Sequence, residues 1–319
     1  AKAAEAGCTH GERCGCGLFA ESFEWGSASA AFQIEGGNTT SDWYQWENRC
    51  VLDTLDGKRT GDETVTDCES NLDGPDGWNQ FDSDFALAQA WGHTAARVGI
   101  EWAKIEPTQG AYDPTVIAHY HEIFTSARSH GLKLMVTLQH FTLPTWVHNI
   151  DEPLAGLGGW AGFDDSAVGS AAIVAELARF AGDMAQEFGA DVDLWVTINE
   201  PMVSLLGGYV VGVFPPGEKF KVEKTVRAAI NMIHAHAGAF DAIHERDTID
   251  ADGDGQAAQV SIAHHWRVLD PSDDVSAGAR ESADRADYLY NRFFLNAITT
   301  GQVDLNADGD LDDEGESVD

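Results

Sequence analysis

The stretch Asp193-Leu194-Trp195-Val196-Thr197-Ile198-Asn199-Glu200-Pro201 decides how the rest of the chain is read. Leu194 to Ile198 is a mostly apolar run, the pattern of a strand covered on both faces of a parallel sheet. It ends in an amide, a carboxylate and a proline. Proline has no N–H for a ladder, so the strand stops there. A carboxylate is costly to bury without a partner. An acid at the tip of a core strand is therefore either a solvated end or a working group, and the flanking sequence has to separate the two.

Working outward, apolar periodicity marks helices on both sides. Before this strand, Ile173, Leu177, Phe180, Met184 and Phe188 fall on one face of a helix over 166–188, closed by Gly189. After it, Val226, Ile230, Ile233, Ala237 and Phe240 predict the inward face of a helix over 222–243. Further upstream, Lys133 to Leu138 reads as a strand running into Gln139-His140-Phe141. Asp113-Pro114 supplies a cap and a first-turn proline to a helix that buries Ile117, Tyr120, Phe124 and Ala127 and ends at Gly131. Ala95 to Trp102 is a strand, preceded by a helix with Trp78, Phe81, Phe85, Ala88 and Trp91 on one side. Phe23 to Gly36 reads as a strand entering a glycine-punctuated turn. Residues 53–77 form a long loop. Downstream, Gln259 to Trp266 is a strand and Tyr288 to Thr300 a helix with Phe294 and Ile298 inward.

Strands alternating with helices at this rhythm predict an α/β fold with a parallel sheet. No glycine-rich phosphate fingerprint opens any helix, which disfavours a dinucleotide-binding fold. A (β/α)8 barrel is preferred, of which the chain supplies about the first five βα units. Two regions are expected: a Cys-rich N-terminal extension over 1–20 and a partial barrel over 21–319, incomplete at its C-terminal end.

Composition excludes several function classes. The 319 residues carry 53 acidic and 19 basic side chains, a formal charge of −34, which repels nucleic acid. Apolar content of 43% with 10% aromatics is that of a globular chain. No apolar run reaches the ~20 residues of a bilayer span. Cys8, Cys14, Cys16, Cys50 and Cys68 lie in the first quarter. Disulfides tying down the extension are preferred to a zinc knuckle with His10, with the pairing open. Together with a start at Ala1, this gives the expectation of a mature exported protein, extracellular or periplasmic.

Five ordered motifs then carry a resemblance. They are Phe23 to Gly36; Arg97-Val98-Gly99-Ile100-Glu101-Trp102 with Ile105 and Pro107; Val136 to Pro144 with Trp146; Gly158-Gly159-Trp160; and Thr197 to Pro201. The segment Asn291-Arg292-Phe293-Phe294-Leu295 fits as well. Across roughly residues 22 to 303 the chain resembles the family-1 glycoside hydrolases of the β-glucosidase type.

The resemblance implies a retaining β-glycosidase acting on small β-glucosides or oligosaccharides, with no catalytic cofactor. Such enzymes use two carboxyl groups about 5–5.5 Å apart. Glu200 matches the acid/base, which protonates the leaving oxygen and then activates water. Asn199 matches the amide at the sugar 2-hydroxyl, Gln33 and His140 match binders of the sugar hydroxyls, and Arg97 matches the support of the nucleophile. Phe141, Trp146 and Trp160 are candidate sugar-facing aromatics. The nucleophile's Glu-Asn-Gly-like segment is absent from these residues, and His264-His265-Trp266 stands where the family usually has an asparagine. The isolated chain is therefore expected to be inactive. The rival readings are a non-catalytic sugar-binding remnant, one part of a split or processed glycosidase, and, more distantly, an endo-glycanase of another barrel family.

Two acidic loops follow the first half of a calcium-loop pattern. One is Asp250, Asp252, Asp254 and Gln256; the other is Asp304, Asn306, Asp308 and Asp310. Neither has Glu at the twelfth position, where Ser261 and Gly315 stand. Any calcium there is expected to be structural, on the barrel face opposite the catalytic one.

Overall fold

The computed structural model describes residues 23–52, 59–61, 69–163, 169, 171–272, 276–305 and 307. The extension over 1–20, the thiols of Cys8, Cys14, Cys16 and Cys68, and Asn306, Asp308 and Asp310 lie outside the described residues.

Five strands form one parallel sheet: β1 (Gly26–Ala28), β4 (Ala95–Gly99), β5 (Lys133–Gln139), β6 (Leu194–Asn199) and β7 (Gln259–Ala263). They lie side by side in chain order, each paired in parallel with the next. Parallel neighbours need a crossover, and helices supply it. The crossovers contain α3 (Gly77–Ala90), α5 (Pro114–Ser129), α6 (Ala172–Phe188) and α8 (Val222–Arg246). Within the described residues β1 and β7 are the two edges. A separate antiparallel ribbon pairs β2 (Cys50–Leu52) with β3 (Arg59–Gly61), so the segment expected as one long loop over 53–77 includes a short strand. Among the described residues no helix is long and apolar enough to cross a membrane.

The helices follow their signals closely in some places. At α5 the Asp113 carboxylate accepts from the N–H groups of Thr115 (2.8 Å) and Val116 (3.3 Å), and Pro114 takes the first helical position. Tyr120, Phe124 and Ala127 are fully buried, and Ile117 is half-buried. Asp113→Ala is expected to cost about 1 kcal/mol, read as a lower urea midpoint with an unchanged slope. All five predicted positions of α6 are buried, and α6 packs on α8.

Elsewhere the structure corrects the sequence. Trp91 is 72% exposed, at the C-cap of α3. In α8 the predicted stripe holds at Ile233, which is buried, but Ala237 and Phe240 face solvent, and Ala228, Ala229, Met232, Ala235, Ala239 and Ile243 also face inward. The buried face also carries Arg227, Asn231 and His236, each satisfied by a hydrogen bond. Arg227 donates to the Phe163 carbonyl (2.8 Å), Asn231 to the Trp160 carbonyl (2.7 Å), and His236 Nδ1 meets Thr197 Oγ1 (2.8 Å). Polar groups so partnered can be buried at little cost, which hides the face from a purely apolar reading.

The segment after β1 is likewise a short helix, α1 (Ala31–Ile34), and not a continuation of the strand. Gln33 and Ile34 donate their N–H groups to the Ala30 carbonyl. Gly99, at the end of β4, allows this turn to lie close: a Cβ there would stand 3.1 Å from the Ala31 nitrogen.

Candidate active site

The C-terminal ends of β4, β5 and β6 meet in one polar chain. Arg97 Nη2 donates to Asn199 Oδ1 at 2.9 Å, and Asn199 Nδ2 lies 3.0 Å from His140 Nε2. The first bond fixes the amide's orientation, so Nδ2 is the donor and His140 Nε2 the acceptor. The neutral ring then carries its hydrogen on Nδ1, an assignment by hydrogen-bond logic. Burial pushes His140 down to about 4, with the Arg97 cation adding to the effect, so the ring is neutral at neutral pH. Burial also lowers Arg97 from its usual value, partly offset by the Glu200 carboxylate.

Several polar atoms here are buried with no partner among the described residues. They include His140 Nδ1, Arg97 Nε and Gln139 Oε1. Buried donors and acceptors are nearly always satisfied, so such a group at a strand tip calls for a ligand or a further segment.

Glu200 follows Asn199 directly and sits in the left-handed region, φ 46° and ψ 61°. A non-glycine residue there carries strain of about 1–3 kcal/mol. The turn lets the chain leave β6 and enter α7 (Pro201–Leu205) at once, with Pro201 at the first helical position. The Glu200 N–H donates to the Ala263 carbonyl at 2.7 Å, which ties this turn to the end of β7. The carboxylate is half-buried and makes no hydrogen bond among the described residues. Phe141 shows the same left-handed turn, φ 69°, at the end of β5. Its ring packs on Trp43 (6.4 Å) and Phe214 (5.4 Å).

The remaining predicted residues are placed as follows. Gln33 is exposed on α1, at the C-terminal end of β1, and its amide makes no hydrogen bond among the described residues. Trp146 packs edge-on against Trp102 (5.6 Å) and donates to the Glu106 carbonyl (2.8 Å), so its ring and its N–H are both engaged with protein. Trp160 is buried, at 5% exposure.

The 250–256 loop lies at the opposite end of the sheet, beside Lys133 at the start of β5 and Asp193 just before β6. The set expected from sequence does not converge. Ligand oxygens of Asp193, Asp250 and Asp252 lie within 4.8 Å of one another, whereas Asp254 turns to Gln259 (2.8 Å) and Gln256 is exposed. The reason is local: Asp193 accepts the N–H groups of Ala251 and Asp252, and Asp250 accepts those of Gly253, Asp254 and Gly255. Lys133 Nζ also pairs with Asp252 at 2.5 Å. The carboxylates are engaged by the loop's own backbone and one lysine. Asp304 of the second loop is buried, and its N–H donates to the Tyr288 hydroxyl (2.7 Å).

Sequence reading passed over Trp43, Phe214 and Tyr290. Trp43 and Phe214 come from short or irregular segments with no periodic pattern, and only their ring contacts single them out; Tyr290 could have been found, because it lies at helical spacing before the inward Phe294 and Ile298.

The chain as a whole is similar to known proteins. The β-galactosidase of Pyrococcus woesei is 29% identical over 340 residues, covering 92% of this chain and 63% of that protein. The cytosolic β-glucosidase of Homo sapiens is 29% identical over 282 residues, covering 88% of this chain and 55% of that one. The structure of the family 1 β-glucosidase from Thermotoga maritima superposes with a TM-score of 0.73 at 25% identity, covering 90% of this chain and 58% of that one. The chain thus spans a little over half the length of these proteins. Residues 16–317 match the model described as Glycosyl hydrolase family 1, and the chain belongs to that family.

Proposed function

We propose that these residues form the acid/base half of a retaining β-glycosidase acting on terminal β-linked sugars, and that they are the first five βα units of an eight-unit barrel. The observation that carries the reading is the Arg97–Asn199–His140 chain, which leaves buried polar atoms unpartnered beside Glu200. Sugar hydroxyls, which donate and accept at once, suit such an array.

In this reading Glu200 gives its proton to the glycosidic oxygen as the bond to the anomeric carbon breaks. A second carboxylate, supplied from outside these residues, forms the covalent glycosyl-enzyme. Glu200, now ionised, takes a proton from the incoming water, which attacks the anomeric carbon and restores both groups. Arg97 Nε is the donor free to bond that second carboxylate. His140 Nδ1–H, the Asn199 amide and the exposed Gln33 amide take the sugar hydroxyls, and Phe141, with Trp43 and Phe214, forms an apolar wall. Trp146 has a packing role here. The names of the relatives point to β-glucosides, β-galactosides and 6-phospho-β-galactosides. An extracellular or periplasmic location belongs to the same proposal and rests on the clustered cysteines. No step is routed through calcium.

The test compares residues 1–319 alone with a protein that continues through a Glu-Asn-Gly strand, on aryl β-glucoside and β-galactoside. The longer protein is expected to turn over and the shorter one to show no turnover. Efficient hydrolysis by 1–319 alone would overturn the two-carboxylate division. Sugar binding without hydrolysis by the longer protein would favour the non-catalytic remnant.

A further inference from the structure

A polar pocket to which the reaction above gives no work opens at the end of the sheet that carries the strand tips. It encloses about 300 Å³, the low end of the range for small-molecule sites. Every wall comes from a segment that follows a strand. Arg49 precedes α3, His148 and Phe163 follow β5, Pro216 and Glu218 follow β6, and Lys224 lies in the first turn of α8. One loop serves both this pocket and the cleft. Phe214 turns its ring to Trp43 (4.8 Å) and Phe141 (5.4 Å), whereas Glu218, four residues on, faces the pocket.

The polar side chains of the pocket are held in place by the protein itself. His148 Nδ1 lies 2.7 Å from Asp42 Oδ2; the carboxylate accepts, so by hydrogen-bond logic Nδ1 carries the hydrogen and Nε2 is left for another partner. Asp42 is buried, and its Oδ1 accepts the Leu143 N–H at 2.9 Å. On the ring's other side Gly159 has φ 59°, and a Cβ there would stand 2.7 Å from His148 Cδ2, so only glycine lets the backbone lie so close. Arg49 Nη2 donates to the Ile150 carbonyl (2.7 Å) and to Asp151 Oδ1 (3.3 Å), and the guanidinium stands 5.7 Å from the centre of the Trp46 ring. The Glu218 N–H donates to the Gly208 carbonyl (2.9 Å), and its Oε1 takes Lys224 Nζ (2.9 Å). Glu218 Oε2 has no partner among the described residues. Side chains fixed in this way lose little further freedom when a ligand arrives.

We propose that this pocket is a second sugar-binding site, which holds a neutral glycoside outside the catalytic cleft. Its charges are already paired, Arg49 with Asp151 and Lys224 with Glu218, so it selects neither an anion nor a cation. What remains is a bare carboxylate oxygen and an imidazole nitrogen, with the N–H groups of Arg49 and Lys224 beside them. Acceptors and donors set side by side suit sugar hydroxyls, which do both at once. Phe163, 37% exposed, and Pro216 supply apolar surface for the C–H face of a ring. An oxygen such as Glu218 Oε2 is seldom left without a donor, and a hydroxyl supplies one. No bond is made or broken in this pocket.

The test needs no turnover, so it fails separately from the glycosidase reading. The ¹⁵N-labelled chain is titrated with methyl β-glucoside, and separately with inorganic phosphate, while the backbone amide signals are followed. The expected result is a saturable response to the glucoside at Phe163, Glu218 and Lys224, with a Kd in the millimolar range. It persists in Asn199→Ala, which removes the central amide of the cleft; if that variant does not fold, Gln33→Ala at an exposed position takes its place. Glu218→Ala and Arg49→Ala should each weaken binding at the pocket by about tenfold, the effect of losing a hydrogen bond to a charged group. If Arg49→Ala does not fold, Glu218→Ala decides. The proposal is overturned by the absence of a saturable response at these residues, or by a response to phosphate and not to the glucoside. It is equally overturned if the response disappears with the cleft variant, or if Glu218→Ala binds as tightly as the unmodified chain.

Discussion

Replacing Glu200 by Gln in the complete protein is expected to lower kcat on a glycoside with a poor leaving group by about 10²–10⁴-fold, the range for loss of a general acid–base group. An aryl glycoside with an acidic phenol leaves without help, so its first step should be far less affected. The covalent intermediate should then accumulate, because the base that activates water is also gone. The measurement is kcat against leaving-group acidity for both proteins, with a burst of phenol as the second readout. A variant that kept its full rate on the poor leaving group would remove Glu200 from the reaction. The amide has nearly the shape of the acid and the fold makes no hydrogen bond to the Glu200 carboxylate among the described residues, so thermal stability should change little.

The second large effect is on stability and lies beneath the site. Glu101, at the N-cap of α4 (Trp102–Ile105), is fully buried. Burial, with the neighbouring Glu35 carboxylate, pushes it up to about 7 from an ordinary 4.5, against the hydrogen bonds from Thr142 (2.9 and 3.0 Å) and the Ala103 N–H (3.2 Å). Glu35 is raised in the same direction by burial, against Lys104 at 2.8 Å and the Tyr120 hydroxyl at 2.9 Å. Between pH 4.5 and 7 the folded chain therefore keeps a proton on Glu101 that the unfolded chain gives up. The contribution of Glu101 is full below this window, falls as pH rises through it, and levels off above the folded value, while the buried His140 and His236 rings, lowered to about 4, contribute the opposite slope up to 6.5. The loss is on the order of 3 kcal/mol for Glu101 alone.

Glu101→Gln is neutral throughout, so the urea midpoint of the variant relative to that of the unmodified chain should rise with pH across the window by the Glu101 contribution. A difference between the two midpoints that stays constant across the window would show that Glu101 is ionised in the folded state. The network has a place in function too. Glu35 stands two residues beyond Gln33, and Thr142 two beyond His140, so the same buried carboxylates anchor both proposed sugar-binding segments.

Much of the site could be read before any coordinates, because strand-tip residues follow from where a strand must stop. Leu194 to Ile198 is too apolar to be anything but core, Pro201 ends the ladder, and Asn199 and Glu200 are left at the end. The Lys133 strand delivers His140 and Phe141 in the same way. Where short-range signals were weak, the reading failed. Ala31 to Ile34 looks like a strand, yet it turns into a helix against Gly99, 65 or more residues away in sequence. Of the buried face of α8 only Ile233 was read fully, because Arg227, Asn231 and His236 are satisfied by groups on other elements.

The sequence by itself determined the alternation of strands and helices, the caps, and which acid ends the β6 strand, since periodicity, proline and glycine act over a few residues. Only the tertiary structure decided which polar atoms pair and which are left bare. Asn199 takes Arg97 and not a neighbour in the chain, His264 turns one nitrogen to Asn291, and Asp193 replaces Asp254 in the acidic turn. Those outcomes depend on distances across strands that no local pattern encodes, and a hydrogen bond is lost within a fraction of an ångström.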